Sequence, residues 1–254
     1  MTTKKKRGTF IVLLLFVVGA ASVVARFHGQ AQKTRDTQLK EEATVIQEGQ
    51  MTEKQRQHSK LFKHPGRKLR DLAATRGSDV EVEVDAGDSI VLPTPPRKTP
   101  VFQSALCNAD AVVIGTITNK SSQLTEQGNF VFTDHDITVE EVIKNNAAAA
   151  IQQGSTITAT RDGGVVEIDN RILRAKREDF EAPLVGKRYL LFLRFIPTTG
   201  SYLMYGNGTF QLEGDKVLAL GPAARQELVN GGSKDVDDFL TGLRSFASSD
   251  CGSA

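Results

Sequence analysis

Hydrophobic and polar positions divide this chain into an apolar start, a polar middle and a strand-rich remainder. Thr9–Ala25 is an unbroken apolar run that follows Lys4, Lys5, Lys6 and Arg7 and closes at Arg26. From Gln30 to about Arg76 the chain is polar and helix-prone. Thr52 and Gln55 have capping-box spacing ahead of a helix over Lys54–Phe62, which His64-Pro65-Gly66 ends. Asp79–Val84 alternates strictly between acid and valine, the pattern of a half-buried strand, with Ser89–Leu92 as its candidate partner. Pro93, Pro95, Pro96 and Pro100 then punctuate a linker, because proline lacks the amide donor a ladder needs.

Beyond residue 98 the periodicity becomes that of a β domain. A short helix over Val101–Cys107 leads into Asp110–Thr118, apolar on both faces and therefore central. The polar stretch Asn119–Asn129 is expected to turn the chain into a long strand, Phe130–Ile143. Ser155–Arg161 follows, Gly163-Gly164 makes a turn, and Val165–Leu173 reads as one further strand. Lys187–Ile196 is the most hydrophobic strand, and Pro197–Gly200 turns it into Tyr202–Tyr205. Thr209–Glu213 and Lys216–Leu220 form a last hairpin. Ser233, with Asp235, Asp237 and Asp238 in the first turn, caps a C-terminal helix whose Val236, Phe239, Leu240 and Leu243 share one stripe. The expected architecture is thus mainly β, a small barrel with a C-terminal helix. An N-terminal hydrophobic helix and a polar helical stalk precede it.

The basic block and apolar run have the layout of an export signal. The run is slightly shorter than the roughly 20 residues that cross a hydrocarbon core, so a signal peptide and a single transmembrane anchor both stay open. Val23 with Ala25, or Gly29 with Ala31, supply small residues for cleavage. The organisation read from the sequence is a signal or anchor over 1–25, a stalk and linker over 26–98, and a β domain over 99–254. The protein is expected outside the cytoplasm, in the periplasm or envelope or secreted.

Composition narrows the function classes. A net charge of +2 is too small for a general polyanion binder, and the absence of Trp with only 6% aromatics argues against a stacking surface for single-stranded nucleic acid. Between Lys54 and Arg70 lie Lys54, Arg56, Lys60, Lys63, Arg67, Lys68 and Arg70 with no acid among them. Such a cluster either contacts anionic lipid or envelope polymer or is a solvated helix face. Cys107 and Cys251 are the only cysteines and bracket the β domain. In an exported chain they are candidates for one disulfide, the alternative being two unrelated thiols.

Motifs for chemistry are absent. The chain has no Gly-x-Ser-x-Gly elbow, His-Glu-x-x-His, Walker loop, EF-hand or Cys-x-x-Cys. No catalytic, cofactor or metal residue is therefore assigned. Gly206-Asn207-Gly208 suits a turn or bulge. His58 and His64 are too far apart for one helical face. Asp134-His135-Asp136 reads as a solvated strand face on which alternation sends His135 away from the aspartates. Asn119 and Asn207 begin glycosylation sequons, which matter only in a eukaryotic secretory route.

The succession Ala-Asp-Ala-Val-Val-Ile-Gly-Thr-Ile (109–117), Val-Glu-Glu-Val-Ile-Lys (139–144) and Leu-Val-Gly-Lys-Arg-Tyr-Leu-Leu-Phe-Leu (184–193) resembles the netrin-like module. That family includes the tissue inhibitors of metalloproteinases and is built on a five-stranded OB-type barrel, so the resemblance implies such a barrel here. The inhibitory members chelate the protease metal through an N-terminal Cys. No Cys stands at a plausible mature N-terminus of this chain and the family's multiple disulfides are missing, so that activity does not carry over. The chain is similar also to exported bacterial proteins with the same strand succession, which implies no activity. The resulting expectation is a non-enzymatic envelope protein that binds a protein or polymer. An extracytoplasmic hydrolase with a site assembled from scattered residues is the alternative.

Overall fold

A computed structural model describes residues 44–45, 51–62, 68–76, 80–84, 101–177, 180–230 and 235–248. The first elements are β1 (Thr44–Val45), α1 (Glu53–Ser59), α2 (Leu69–Arg76), β2 (Val80–Val84) and α3 (Val101–Asn108). The long strands β3 (Ala111–Leu124) and β4 (Val131–Lys144) follow, then β5 (Thr156–Asp162), β6 (Gly164–Ile168) and β7 (Arg171–Arg177). The chain continues through β8 (Arg188–Ile196), β9 (Ser201–Glu213), β10 (Lys216–Ala219), α4 (Pro222–Asn230) and α5 (Val236–Ser248). It is mainly β, with a C-terminal helix.

The larger sheet runs in the order β10-β9-β5-β4-β3-β8, and β8 pairs again with β9. Consequently β3, β4, β5, β9 and β8 each have two neighbours within the set, and the ladders return to the strand they began from. Every contact in that circuit is antiparallel except β5 with β9, where Ala159 stands opposite Tyr202 and Thr160 opposite Leu203. A smaller sheet runs β1-β6-β7-β2, with parallel pairing at both of its ends.

Side-chain alternation explains the layering. Val113, Ile137, Ala159, Leu191 and Tyr202, one from each strand of the circuit, meet in one apolar cluster. The opposite faces of β3 and β8 present Val112, Ile114, Leu190 and Phe192, which join Phe210 beneath Leu106, Leu228, Phe239, Leu240 and Leu243 of the helices. This is why β3 and β8 carry no polar face at their centres, and why the α5 stripe of Phe239, Leu240 and Leu243 is buried as its spacing predicts. A third cluster gathers Phe132 of β4 with Val166, Leu173 and Val80 of the smaller sheet and with Phe62, Leu69 and Ala73.

That third cluster corrects the stalk. Residues 51–84 read as a polar extension, yet their sparse apolar positions Phe62, Leu69, Ala73 and Val80 are all buried against the β domain. The described residues all fall in one unit spanning Ala43–Ala254, so residue 98 does not separate a domain from a stalk. β2 is half-buried as its alternation predicts, but it pairs parallel to β7. Its expected partner Ser89–Leu92, the Pro-rich linker, His64 and the hydrophobic segment 1–25 lie outside the described residues.

Other departures have local causes. Asn119–Leu124 continues β3, where its polar side chains line the pairing with Val131–Asp136. Val165–Leu173 is two strands, because Asp169 and Asn170 adopt φ of 52° and 59° and close the β6–β7 hairpin. Asx residues tolerate that left-handed conformation. α4 opens with Pro222 at a position that suits proline's fixed φ, and its alanine- and glutamate-bearing sequence lacks the strong stripe that would announce it. The cap of α5 comes from Asp235, whose Oδ1 accepts from the Asp237 and Asp238 amides at 2.9 and 3.2 Å. Ser233 lies outside the described residues. Gly206-Asn207-Gly208 does form the expected irregularity: between Leu191–Thr209 and Leu193–Met204 the β8–β9 register shifts. A Cβ on Gly208 would stand 2.6 Å from that of Phe192.

Candidate functional site

The end of the circuit formed by the 125–130 loop and the 197–200 turn is covered by the segment that begins at Thr52. Thr52 caps α1: its Oγ1 accepts from the Gln55 amide at 3.2 Å while Gln55 Oε1 accepts from the Thr52 amide at 2.8 Å. The capping box read from the sequence is present, and it starts the helix so that His58, Ser59 and Phe62 face inward together.

His58 is fully enclosed. Its Nδ1 lies 2.8 Å from Asp134 Oδ1 on β4, and its Nε2 lies 2.6 Å from Ser201 Oγ and 3.2 Å from Thr199 Oγ1. A carboxylate only accepts, so Nδ1 carries the proton and, in the neutral imidazole, Nε2 accepts from the Ser201 hydroxyl. Thr199 Oγ1 and Ser201 Oγ are 2.5 Å apart and complete the network. Next to it, the Glu126 amide donates to Ser59 Oγ at 2.7 Å. The Phe62 ring stacks on Phe132 with centroids 5.7 Å apart and planes inclined by 19°. The Leu69 amide donates to Gly128 O at 2.8 Å. Four parts of the β domain, namely β4, β9, the 125–130 loop and the 197–200 turn, therefore hold one helical segment.

Carboxylate, imidazole and hydroxyl stand in the order that activates a serine nucleophile. Ser201 and His58 are nevertheless completely buried, and Thr199 shares the imidazole nitrogen that a nucleophile would use. In this state the arrangement is a fully hydrogen-bonded buried network, of the kind that specifies how one element seats on another.

Asp134 and His135 are not on a solvated face: Asp134 is 8% exposed and His135 2%. Alternation does separate them, with Asp134 on His58 and His135 turned to the other side of β4. His135 Nδ1 is buried without a hydrogen-bond partner. Burial, followed by the positive charges of Arg161 and Lys120, pushes the imidazole down to about 3 against the weaker pull of the Ala159 and Thr133 backbone. Arg161 is itself buried. It donates to the carbonyls of Asp162, Glu181 and Phe180 at 2.9, 3.0 and 3.4 Å, with its Cζ 4.0 Å from the Phe180 ring centroid.

Five of the seven basic residues of 54–70 lie among the described residues. Lys54 is half-buried, and Arg56 pairs with Glu53 at 2.9 Å. Lys60 and Lys68 are exposed, while Arg70 reaches Asp169 at 3.8 Å. Lys63 and Arg67 lie outside the described residues. Cys107 is exposed in the last turn of α3, and Cys251 lies outside the described residues. Among the described residues no three of His, Cys, Asp and Glu gather as a metal set, and no helix is long and apolar enough to cross a membrane.

No protein-family model matches this chain, and no curated protein matches it in sequence.

Sequence reasoning missed His58, Thr199 and Ser201 as a group. The signal available was a histidine four residues before a phenylalanine on a capped helix, which marks a buried face. Their meeting spans separations of 76, 141 and 143 residues, which no local pattern encodes.

Proposed function

We propose that this chain is an exported or membrane-anchored cell-envelope protein whose β domain is a non-enzymatic binding module of the OB type, akin to the netrin-like module. The observation that carries this reading is the strand circuit β3-β4-β5-β9-β8 with its single parallel contact between β5 and β9. Five strands that close through Greek-key pairing are the pattern of OB barrels, which serve widely as binding scaffolds. Export rests on the basic block and apolar run at the N-terminus. The partner is a protein or envelope polymer.

The test is chemical crosslinking in the intact envelope, followed by titration of the purified partner against the purified protein. Saturable, stoichiometric binding supports the module. Crosslinks spread over unrelated neighbours, with no saturable partner among them, overturn it. Replacing Leu13, Leu14 and Leu15 by charged residues should retain the protein in the cytoplasm, since each charge costs about 3 kcal/mol at the centre of an inserting segment. Unchanged export would remove the envelope assignment.

The Asp134–His58–Ser201 order favours a second reading, an extracytoplasmic hydrolase with Ser201 as nucleophile. A fluorophosphonate probe decides it: an adduct on Ser201 of the folded protein, lost in His58→Ala, selects the hydrolase.

A further inference from the structure

OB-type barrels take their ligands on the face of the second and third strands, between the loop joining strands one and two and the loop joining strands four and five. In this chain that place is the β4–β5 face with the 125–130 loop and the 197–200 turn. It is occupied by the protein's own segment: His58 sits on Asp134, Ser201 and Thr199, Ser59 takes the Glu126 amide, and Phe62 lies on Phe132.

We propose that residues 51–62 are a built-in occupant of the module's ligand face, and that the ligand of this face is a helical peptide segment of another protein that displaces them. This rests on the binding-module reading and names its partner class. The seat defines the ligand's chemistry. Asp134 is nearly enclosed and takes a hydrogen-bond donor, the Ser201 and Thr199 hydroxyls pair with a second polar atom beside it, and Phe132 offers an aromatic face one helical turn further on. An imidazole followed four residues later by an aromatic meets all three demands, as His58 and Phe62 do. An acidic polymer would set negative charge against Asp134. α1 has only seven residues. A helix that short is marginal in isolation, so its order depends on the seat and a competing segment removes it. While it is tethered, its effective concentration is high, and the intact protein resists a weak competitor.

The experiment uses the full chain and a fluorescein-labelled synthetic peptide with the sequence of residues 51–62, read by anisotropy. The His58→Ala/Phe62→Ala protein, whose tethered copy has lost both anchors, should bind the peptide at least about 10-fold more tightly than the wild type, whose copy competes from within. Adding Asp134→Ala should abolish that binding. Absence of binding by a double variant that still melts cooperatively overturns the proposal. Should that variant not fold, hydrogen exchange on the wild type decides. Amides of residues 54–62 that exchange at least about 10-fold faster than those of Phe132–Ile137 show a separable segment, whereas equal rates tie it to global unfolding and sink the idea. Loss of peptide binding with an envelope partner still bound removes only the occupant. A Ser201 adduct with turnover removes the binding module itself.

Discussion

His58 on α1 and Asp134 on β4 are 76 positions apart in the chain and 2.8 Å apart in the fold, with the imidazole sealed from solvent. His58 Nδ1 and Asp134 Oδ1 are each other's hydrogen-bond partners, while His58 Nε2 is held separately by Ser201 and Thr199. Removing one side leaves the other as a buried orphan, which for a neutral donor costs about 1 to 3 kcal/mol and for an uncompensated buried charge about 3 to 5.

His58→Ala is therefore expected to destabilise the protein by about 3 kcal/mol, a fall in thermal midpoint of roughly 6 to 12 °C for a chain of this size. Ser201→Ala should cost less, about 1 kcal/mol, because Thr199 remains beside Nε2. Thermal melts of His58→Ala, Asp134→Ala and His58→Ala/Asp134→Ala, with the wild type, form a double-mutant cycle. Additive effects would mean that the two side chains do not support each other.

The strands were legible wherever burial is two-sided or alternating. Phe130–Ile143 and Lys187–Ile196 return as β4 and β8 within a residue, and Asp110–Thr118 as the first part of β3, because continuous apolar runs and period-two alternation mark buried strands. The role of residues 51–84 was not legible in the same way. Phe62, Leu69, Ala73 and Val80 are its buried apolar positions among the described residues, and such scattered apolar residues in a polar segment look like a stalk until β4 and β7 are present to cover them. The candidate site depends on just those tertiary contacts. His58 was visible only as a histidine off the face of His64, Thr199 only within the 197–200 turn, and Ser201 not at all.

His135 predicts an acid sensitivity of its own. Burial first, then Arg161 and Lys120, holds its folded-state pKa at about 3, while the unfolded chain takes up the proton near 6.5. The unfolded state thus binds more protons between those values. The stability present above pH 6.5 is lost as pH falls towards 3, at about 1.4 kcal/mol per pH unit for this group. Unfolding free energies from urea melts at pH 7 and pH 5 should differ by about 2 kcal/mol more in the wild type than in His135→Leu. Parallel curves for the two proteins would show that His135 is solvated.

The basic segment should bind anionic membranes weakly. Glu53 neutralises Arg56, and it does so firmly enough that hydrogen bonds from Gln57 and Arg56 hold its carboxyl below the usual range. Lys60 and Lys68 are exposed. Sedimentation with vesicles containing phosphatidylserine should show retention that disappears as salt shortens the screening length towards about 8 Å, and Lys60→Glu/Lys68→Glu should remove it. Equal retention on neutral vesicles would dismiss an electrostatic contact.

The disulfide between Cys107 and Cys251 is a proposal that rests on the export signal and on the position of the two cysteines at the ends of the β domain. Leu106 of α3 and Leu240 and Leu243 of α5 share one apolar cluster, so the two helices lie under the same layer. α5 ends at Ser248, and the few positions that follow reach about 10 Å when extended. The α3 end is fixed to β4 as well. Lys144 Nζ donates to the carbonyls of Ala109 and Leu106 at 2.6 and 3.0 Å, and partial burial lowers its pKa against the attraction of Asp110. A bridge here would close a loop of about 145 residues, which in the chain-entropy account stabilises by roughly 4 to 5 kcal/mol less native strain. Cys251→Ser should then lower the thermal midpoint by several degrees without changing the far-ultraviolet spectrum, and reduction of the wild type should reproduce that shift. Alkylation of exported protein without reductant, followed by mass spectrometry, reads the bridge directly. Two modified thiols on folded material would refute it and assign the stability of the α3–α5 face to the apolar cluster and the Lys144 clamp alone.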